Sequence, residues 1–246
     1  MNHHKRDWED LAKLDPYWAI LSHPKRKFGG WDVEEFFHTG NVDFESVMRV
    51  AEDLGHPRKR GRALDFGCGL GRITRAMTRH FDECLGIDIS ETMLARAREL
   101  NSQYLSCKFL ASHSEDLGNL PDDHLDLIYC DLVLQHLPTR VLIQSIISEF
   151  VRTLRPNGLA VFQLLSFIPR KYRLQPARRI YELLRAVGIA PDTLYKRFGL
   201  TPIRNNCLSE QQVLTQLQRL GGRLLKIQRR TIPETLVRSS TYFFTK

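Results

Sequence analysis

From about residue 62 to residue 167, short apolar runs alternate with longer stretches whose apolar residues recur every three or four positions. The short runs, "RALDF", "CLGID", "CKFLA", "LDLIYC" and "LAVFQLL", have the length and continuity of buried strands. The stretches between them, near 72–80, 91–101, 115–118 and 140–154, carry a helical period. Strand and helix in alternation predict a parallel sheet with crossover helices on both faces.

The flanks read differently. Upstream, "DWEDLAKL" sets Trp8, Leu11 and Leu14 at helical spacing, and "DPYWAIL" offers Asp15 as an N-cap with Pro16 at the first helical position. In "WDVEEFFHTG", Asp32 and Glu35 form a capping-box variant and Gly40 reads as a helix stop. A separate helix then follows in "DFESVMRVAEDLG". Downstream, 169–206 reads as helical and basic, a helix starts at Ser209, and "GRLLKIQRR" and "STYFFTK" read as strands. The expected organisation is a helical N-terminal cap over 1–58 and one α/β domain over 59–246, interrupted by an insertion over 167–206.

Composition narrows this without redirecting it. The 246 residues include 42% apolar ones, enough for a sizeable core. No run approaches the roughly 20 apolar residues that span a bilayer, and the N-terminus has no apolar segment behind its basic residues. Five widely spaced cysteines without a C-x-x-C pair suit reduced packing residues. A cytoplasmic protein without a membrane partner, monomeric or homodimeric, is therefore expected. The net charge of +8 is concentrated in the insertion, where nine basic residues between Arg170 and Arg204 face two acidic ones.

Chemistry enters at "LDFGCGLGRIT". Gly67, Gly69 and Gly71 lie on the first strand-to-helix turn, where a bare backbone lets a ligand approach. The spacing departs from the G-x-G-x-x-G of dinucleotide sites, and Asp65 just ahead of it suits an ammonium group better than a phosphate. Asp88 ends the second strand, 17 positions after Gly71, where a carboxylate can accept from both ribose hydroxyls. Adenosine joined to an amino-acid headgroup describes S-adenosylmethionine.

At this point the chain resembles the class I S-adenosylmethionine-dependent methyltransferases. "ALDFGCGLGRIT" is similar to their first motif and "LGIDIS" to their ribose motif. "SEDLGNLPDDHLDLIYCDLVLQHLP" resembles the region joining adenine contacts to the fourth strand, and "LRPNGLAVFQL" the turn into the fifth. The resemblance implies a Rossmann-like α/β fold: a mostly parallel sheet with helices on both faces and an antiparallel C-terminal strand. It further implies that Asp65, Gly67, Cys68, Gly69 and Gly71 hold the methionine end, Asp88 the ribose, and Ile89 with Met93 the adenine. Cys130 would touch the methionine portion. At the adenine edge, His113-Ser114 replaces the Asp-Ala of many relatives, leaving the Ser114 amide and hydroxyl, or a neutral His113 as acceptor, for the contact.

Methyl transfer needs an acceptor held in line and, for a hydroxyl, a group to take its proton. His136 and Asp131, beyond the fourth strand, are the catalytic candidates. Tyr17, Trp18 and Arg173 are the candidate acceptor contacts. The chain lacks the D/N-P-P-Y/F of exocyclic-amine methylation, and no zinc-ligand spacing occurs, so no metal is expected. The expected acceptor is a small anionic or sugar-like metabolite methylated at oxygen. RNA bound by the basic insertion is the rival, and a methyltransferase-like binding subunit without catalysis is the third alternative.

Overall fold

A computed structural model describes residues 3–112, 117 and 120–246. Seven strands form one sheet: β1 (Arg62–Phe66), β2 (Glu83–Asp88), β3 (Cys107–Ala111), β4 (Leu125–Cys130), β5 (Leu154–Phe167), β6 (Arg223–Ile232) and β7 (Val237–Thr245). Their order is β3-β2-β1-β4-β5-β7-β6. The first five pair in parallel, whereas β7 runs antiparallel to both β5 and β6. This is the Rossmann-like arrangement that the alternation and the resemblance predict. Chain order reverses direction between β1 and β4, so the crevice lies above their carboxyl ends.

Central position sets strand composition. All six residues of β4 are buried, while edge strand β6 has no buried residue. Successive residues of each strand serve opposite faces. Leu64, Ile128 and Phe162 pack under α6 (Arg140–Thr153) and α10 (Glu210–Arg219). Ala63, Leu127 and Val161 pack under α3 (Val33–Asp53) and α4 (Arg72–Met77). At the amino end, buried Asp126 accepts from the Gly61 and Arg62 amides at 3.0 and 2.9 Å and pairs with Arg155 at 3.0 Å, tying β1, β4 and β5 together.

The N-terminal cap comprises α1 (His3–Leu14), α2 (Pro16–Ile20) and the long α3. Asp15 is the N-cap of α2, as its sequence indicates, and does more. Its Oδ2 accepts from the amides of Phe28 and Gly29 and from the Tyr195 hydroxyl at 2.7 Å, tying the cap to α9 (Pro191–Phe198). Gly40 is not a helix stop: α3 runs through it without interruption. A Cβ there would lie 2.5 Å from the Arg72 carbonyl and 2.6 Å from its Cγ, so the glycine is a notch that seats Arg72. Helix α5 (Glu91–Leu100) is capped twice, by Ser90 and by Glu9 of α1, whose carboxylate accepts from the Glu91 amide at 2.6 Å and from the Thr92 hydroxyl.

The insertion forms α7 (Arg170–Arg173), α8 (Pro176–Ala186) and α9. Alternating arginines and aliphatics in α8 read as an ordinary amphipathic surface helix, yet its orientation is inverted. Tyr181 is buried, Arg178 and Arg185 are partly buried, and Ile180, Leu183 and Val187 face water. Arg185 pairs with Asp10 of α1 at 3.2 Å, which turns the arginine side inward. Among the described residues, no helix is long and apolar enough to cross a membrane.

Candidate functional site

The crevice above β1 and β4 is a cavity of about 500 Å³. Its floor is the glycine turn after β1. Gly67 and Cys68 donate to the Ile87 carbonyl at 2.7 and 3.0 Å, folding the turn over the end of β2. Gly67 and Gly69 adopt left-handed angles, φ 79° and 53°. A Cβ on Gly67 would meet Val133 at 2.3 Å, and one on Gly69 would meet Ile20 at 2.5 Å. Backbone conformation and lack of space both demand glycine there.

Two carboxylates frame this turn. Asp65 is buried beneath it, and its Oδ2 accepts from the Thr74 hydroxyl at 2.7 Å. Burial pushes its pKa up to about 6, against the pull of that hydrogen bond and of Arg72. Asp88, at the end of β2, accepts from the Gly69 amide at 2.8 Å and from the Ser90 amide at 2.9 Å. It therefore braces the glycine turn and the N-terminus of α5 at once. Burial raises its pKa too. Ile89 and Met93 line the adjoining wall with Ser112. Ser114 and His113 lie outside the described residues.

Sequence reasoning passed over Arg72. It follows Gly71 at the start of α4 and lines the cavity with a side chain only 5% exposed. Its Nη1 donates to Thr39 at 3.1 Å and pairs with Asp43, while its Nε is buried without a hydrogen-bond partner. A buried donor left unpaired is costly, so this atom is suited to a ligand acceptor. The cue in the sequence was the arginine directly after the turn, at the first position of a helix aimed at the ligand.

At the end of β4 the chain turns sharply through Leu132, a non-glycine residue at φ 58°. Asp131 and Leu132 thereby face the cavity, followed by His136 in a 3-10 turn, Leu134–His136. Burial pushes Asp131 up to about 6 as well. The His136 Nδ1 lies 2.6 Å from the Arg204 carbonyl, which can only accept, so Nδ1 carries the proton and Nε2 the lone pair. Burial lowers the pKa of this imidazole, keeping it neutral. Its ring meets Trp8 at 5.8 Å.

The remaining predicted positions do not reach the cavity. Cys130 is fully buried in the sheet core, and Gly71 is the N-cap of α4, pressed on Asn101 and Phe109. Tyr17 packs edge-on against Phe36 at 4.9 Å, and Trp18 lies between Tyr195 and Lys27. Arg173 is exposed and donates from Nε to the Ile168 carbonyl at 2.8 Å. The opposite face of α2, Ala19 and Ile20, lines the cavity instead, together with His4, Lys5 and Trp8 of α1. The cap meets the cavity through a face that looked like ordinary core spacing. Among the described residues, no group of His, Cys, Asp and Glu is arranged to hold a metal ion.

Cradle and charge fit S-adenosylmethionine. Buried carboxyls with raised pKa gain from a cationic ligand, and the unpaired Arg72 Nε suits a carboxylate. A family model described as a methyltransferase domain matches residues 64–162. The ubiquinone biosynthesis O-methyltransferase of Methylococcus capsulatus is 30% identical over 155 residues, 60% of this chain and 63% of that protein. The 2-methyl-6-phytyl-1,4-hydroquinone methyltransferase of Synechocystis is 26% identical over 63% of this chain and 47% of its own length. Thus the chain spans less than two thirds of these relatives. Among solved structures, the magnesium protoporphyrin IX methyltransferase of Synechocystis with bound SAH shares the fold at a TM-score of 0.62 and 20% identity, over 99% of each chain. A SAM-dependent methyltransferase of Leishmania major does so at 0.60 and 20% identity, over 97% of this chain and 83% of that one. A glycine turn flanked by Asp65 and Asp88, in a sheet of this order, agrees with these likenesses: the chain is similar to class I S-adenosylmethionine-dependent methyltransferases in its core sequence and shares their fold, and its site fits S-adenosylmethionine.

Proposed function

We propose that this chain transfers a methyl group to an oxygen of a small, largely apolar acceptor bearing an acidic hydroxyl, of the phenol or hydroquinone class. The observation that carries this reading is the lining beyond Asp131. Trp8, Val133, Leu137, Leu142 and Ile146 make an apolar wall with the imidazoles of His136 and His4 beside it. The expected anionic or sugar-like acceptor has no support from the insertion, because none of its arginines lines the cavity. A flat ring with a hydroxyl suits this lining. The relatives named above, a ubiquinone biosynthesis O-methyltransferase and a hydroquinone methyltransferase, point the same way.

In this reading Asp65, Gly67, Cys68 and Gly69 hold the methionine end, with the Arg72 Nε–H donating to its carboxylate. Asp88 takes the ribose while continuing to brace the turn, and Ile89 with Met93 covers the adenine. Bound S-adenosylmethionine supplies a methyl already activated on a sulfonium. What the chain must add is alignment and a proton acceptor. His136, oriented by the Arg204 carbonyl, takes the acceptor's hydroxyl proton on Nε2, and Trp8 holds the ring against it. Asp131 lines the same cavity at the end of β4.

The test is methyl transfer from labelled S-adenosylmethionine to a panel of catechols and hydroquinones, with sugars and host RNA alongside. His136→Gln is expected to lower kcat about a hundredfold with little change in KM and unchanged cofactor affinity. Label entering sugars or RNA but no phenolic acceptor overturns the acceptor class. Full activity in His136→Gln overturns the role of the imidazole.

A further inference from the structure

Helix α8 presents the wrong face to water. Ile180, Leu183 and Val187, at positions i, i+3 and i+7, form one stripe, exposed by 49%, 66% and 69%. Leu174, in the turn before the helix, is exposed by 59%. A surface helix ordinarily buries such a stripe, and side chains of this size are not left uncovered at helical spacing by chance packing. The inward face is already occupied: Tyr181 is buried and Arg185 is pinned to Asp10 of α1. The stripe therefore cannot turn inward without breaking that contact.

Charge identifies what covers it. Arg179, next to Ile180 in α8, and Arg170 and Lys171, in the short helix α7 just before it, are exposed, and none is in an ion pair among the described residues; the Lys171 ammonium lies 4.7 Å from the Tyr172 ring. The acidic side chains nearby are engaged, Glu182 with Arg178 and Asp192 with Lys196 at 2.8 Å. An aliphatic stripe with free cations beside it, on a helix lying along the surface, matches an interface of acyl chains below anionic headgroups. A single-stranded nucleic acid needs aromatic platforms, and two of the three tyrosines of this segment, Tyr181 and Tyr195, are buried. A second copy docked symmetrically on the stripe would bring Arg179 and its neighbours against their own like charges. We propose that α8, with the turn before it, docks this protein on an anionic phospholipid bilayer surface, its aliphatic stripe entering the interface and its free cations meeting the headgroups.

The docking does not depend on the acceptor proposed above. Its geometry, however, puts α1 directly behind the docked helix, and α1 carries His4, Lys5 and Trp8 into the cavity.

Vesicle flotation with the full chain tests this, using neutral phosphatidylcholine and phosphatidylcholine with about one third phosphatidylglycerol. Wild-type protein is expected to float with the anionic vesicles at least about tenfold better than with neutral ones, and less so as salt rises. Leu183→Glu combined with Val187→Glu should lower the bound fraction about tenfold or more, with unchanged cofactor affinity and melting temperature. Leu105→Glu, an exposed apolar position between α5 and β3, should leave flotation unchanged. Absence of flotation overturns the proposal, as does flotation that the double variant leaves intact. It fails equally if the double variant instead abolishes RNA binding or self-association in a protein that ignores vesicles.

Discussion

The glycine turn and helix α8 are both short, both rich in unusual residues, and held in opposite ways. Around the turn, each carboxylate is satisfied by nearby groups: Asp88 by the Gly69 and Ser90 amides, Asp65 by Thr74. In α8, the inward side is held by buried Tyr181 and one ion pair to another element, Arg185 with Asp10, and the outward face carries an uncovered aliphatic stripe. The difference teaches where function can be read locally. A turn that closes on itself announces its purpose in a dozen residues, whereas the meaning of α8 depends on which of its two faces the rest of the chain leaves open.

The sharpest way to break this contrast is to remove the brace. Asp88→Ala deletes two charge-assisted hydrogen bonds to amides as well as the proposed ribose contact, so cofactor affinity should fall roughly a hundredfold, about 3 kcal/mol, in a calorimetric titration. Unchanged affinity would show that the turn is rigid without it.

Next in size is the notch. Gly40→Val places side-chain carbons against the Arg72 backbone, where a Cβ already comes within 2.5 Å. A cost of about 1–3 kcal/mol in unfolding by denaturant is expected, with weaker cofactor binding because Arg72 is displaced. Destabilisation without any effect on binding would separate Arg72 from the cofactor.

Proton linkage gives a smaller and graded effect. The folded pKa of Asp65, about 6, lies above its ordinary value of 3.8, so the empty protein binds the extra proton between these limits. Its contribution to stability is full below 3.8 and is lost as pH rises through 6. A cationic ligand reverses this preference by favouring the ionised carboxylate. Cofactor affinity should therefore rise with pH and level off above about 6, dropping up to tenfold per unit below it. In Asp65→Asn the slope should shrink to the share that Asp131 contributes, and an unaltered profile would assign the titration elsewhere.

The smallest expected effect tests how firmly α1 is latched. Glu9→Gln removes the charge that caps α5 while keeping its shape, which should cost about 1 kcal/mol or less in a thermal melt. A loss of several kcal/mol would mean that α1 is integral to the core rather than laid over the cavity.

Legibility followed the range of the interactions. The strands and crossover helices were readable because burial on both faces writes continuous apolar runs into β1, β4 and β5. Capping by Asp15, Asp32 and Ser209 was readable because the partner amides are three residues away. Gly40 misled because a glycine that ends a helix and one that admits a neighbour look alike in sequence. Its neighbour, Arg72, is 32 positions further along. Tyr17 and Trp18 misled for a related reason. Aromatic side chains suggest a pocket, yet α2 is a short helix whose small side, Ala19 and Ile20, fits against the glycine turn while its bulky side fills the cap.

By itself the sequence determined the alternation of strands and crossover helices, the glycine turn after the first strand and the two carboxylates beside it, because each depends on period, spacing and neighbours close along the chain. Only the tertiary structure decided that α1 lines the cavity, that the His136 imidazole is held by the Arg204 carbonyl, and that α8 turns Arg178 and Arg185 in and Ile180, Leu183 and Val187 out. Each of these depends on pairing between residues tens of positions apart, 68 for His136 with Arg204 and 175 for Asp10 with Arg185, whose energies favour one docking among several that the local pattern allows equally.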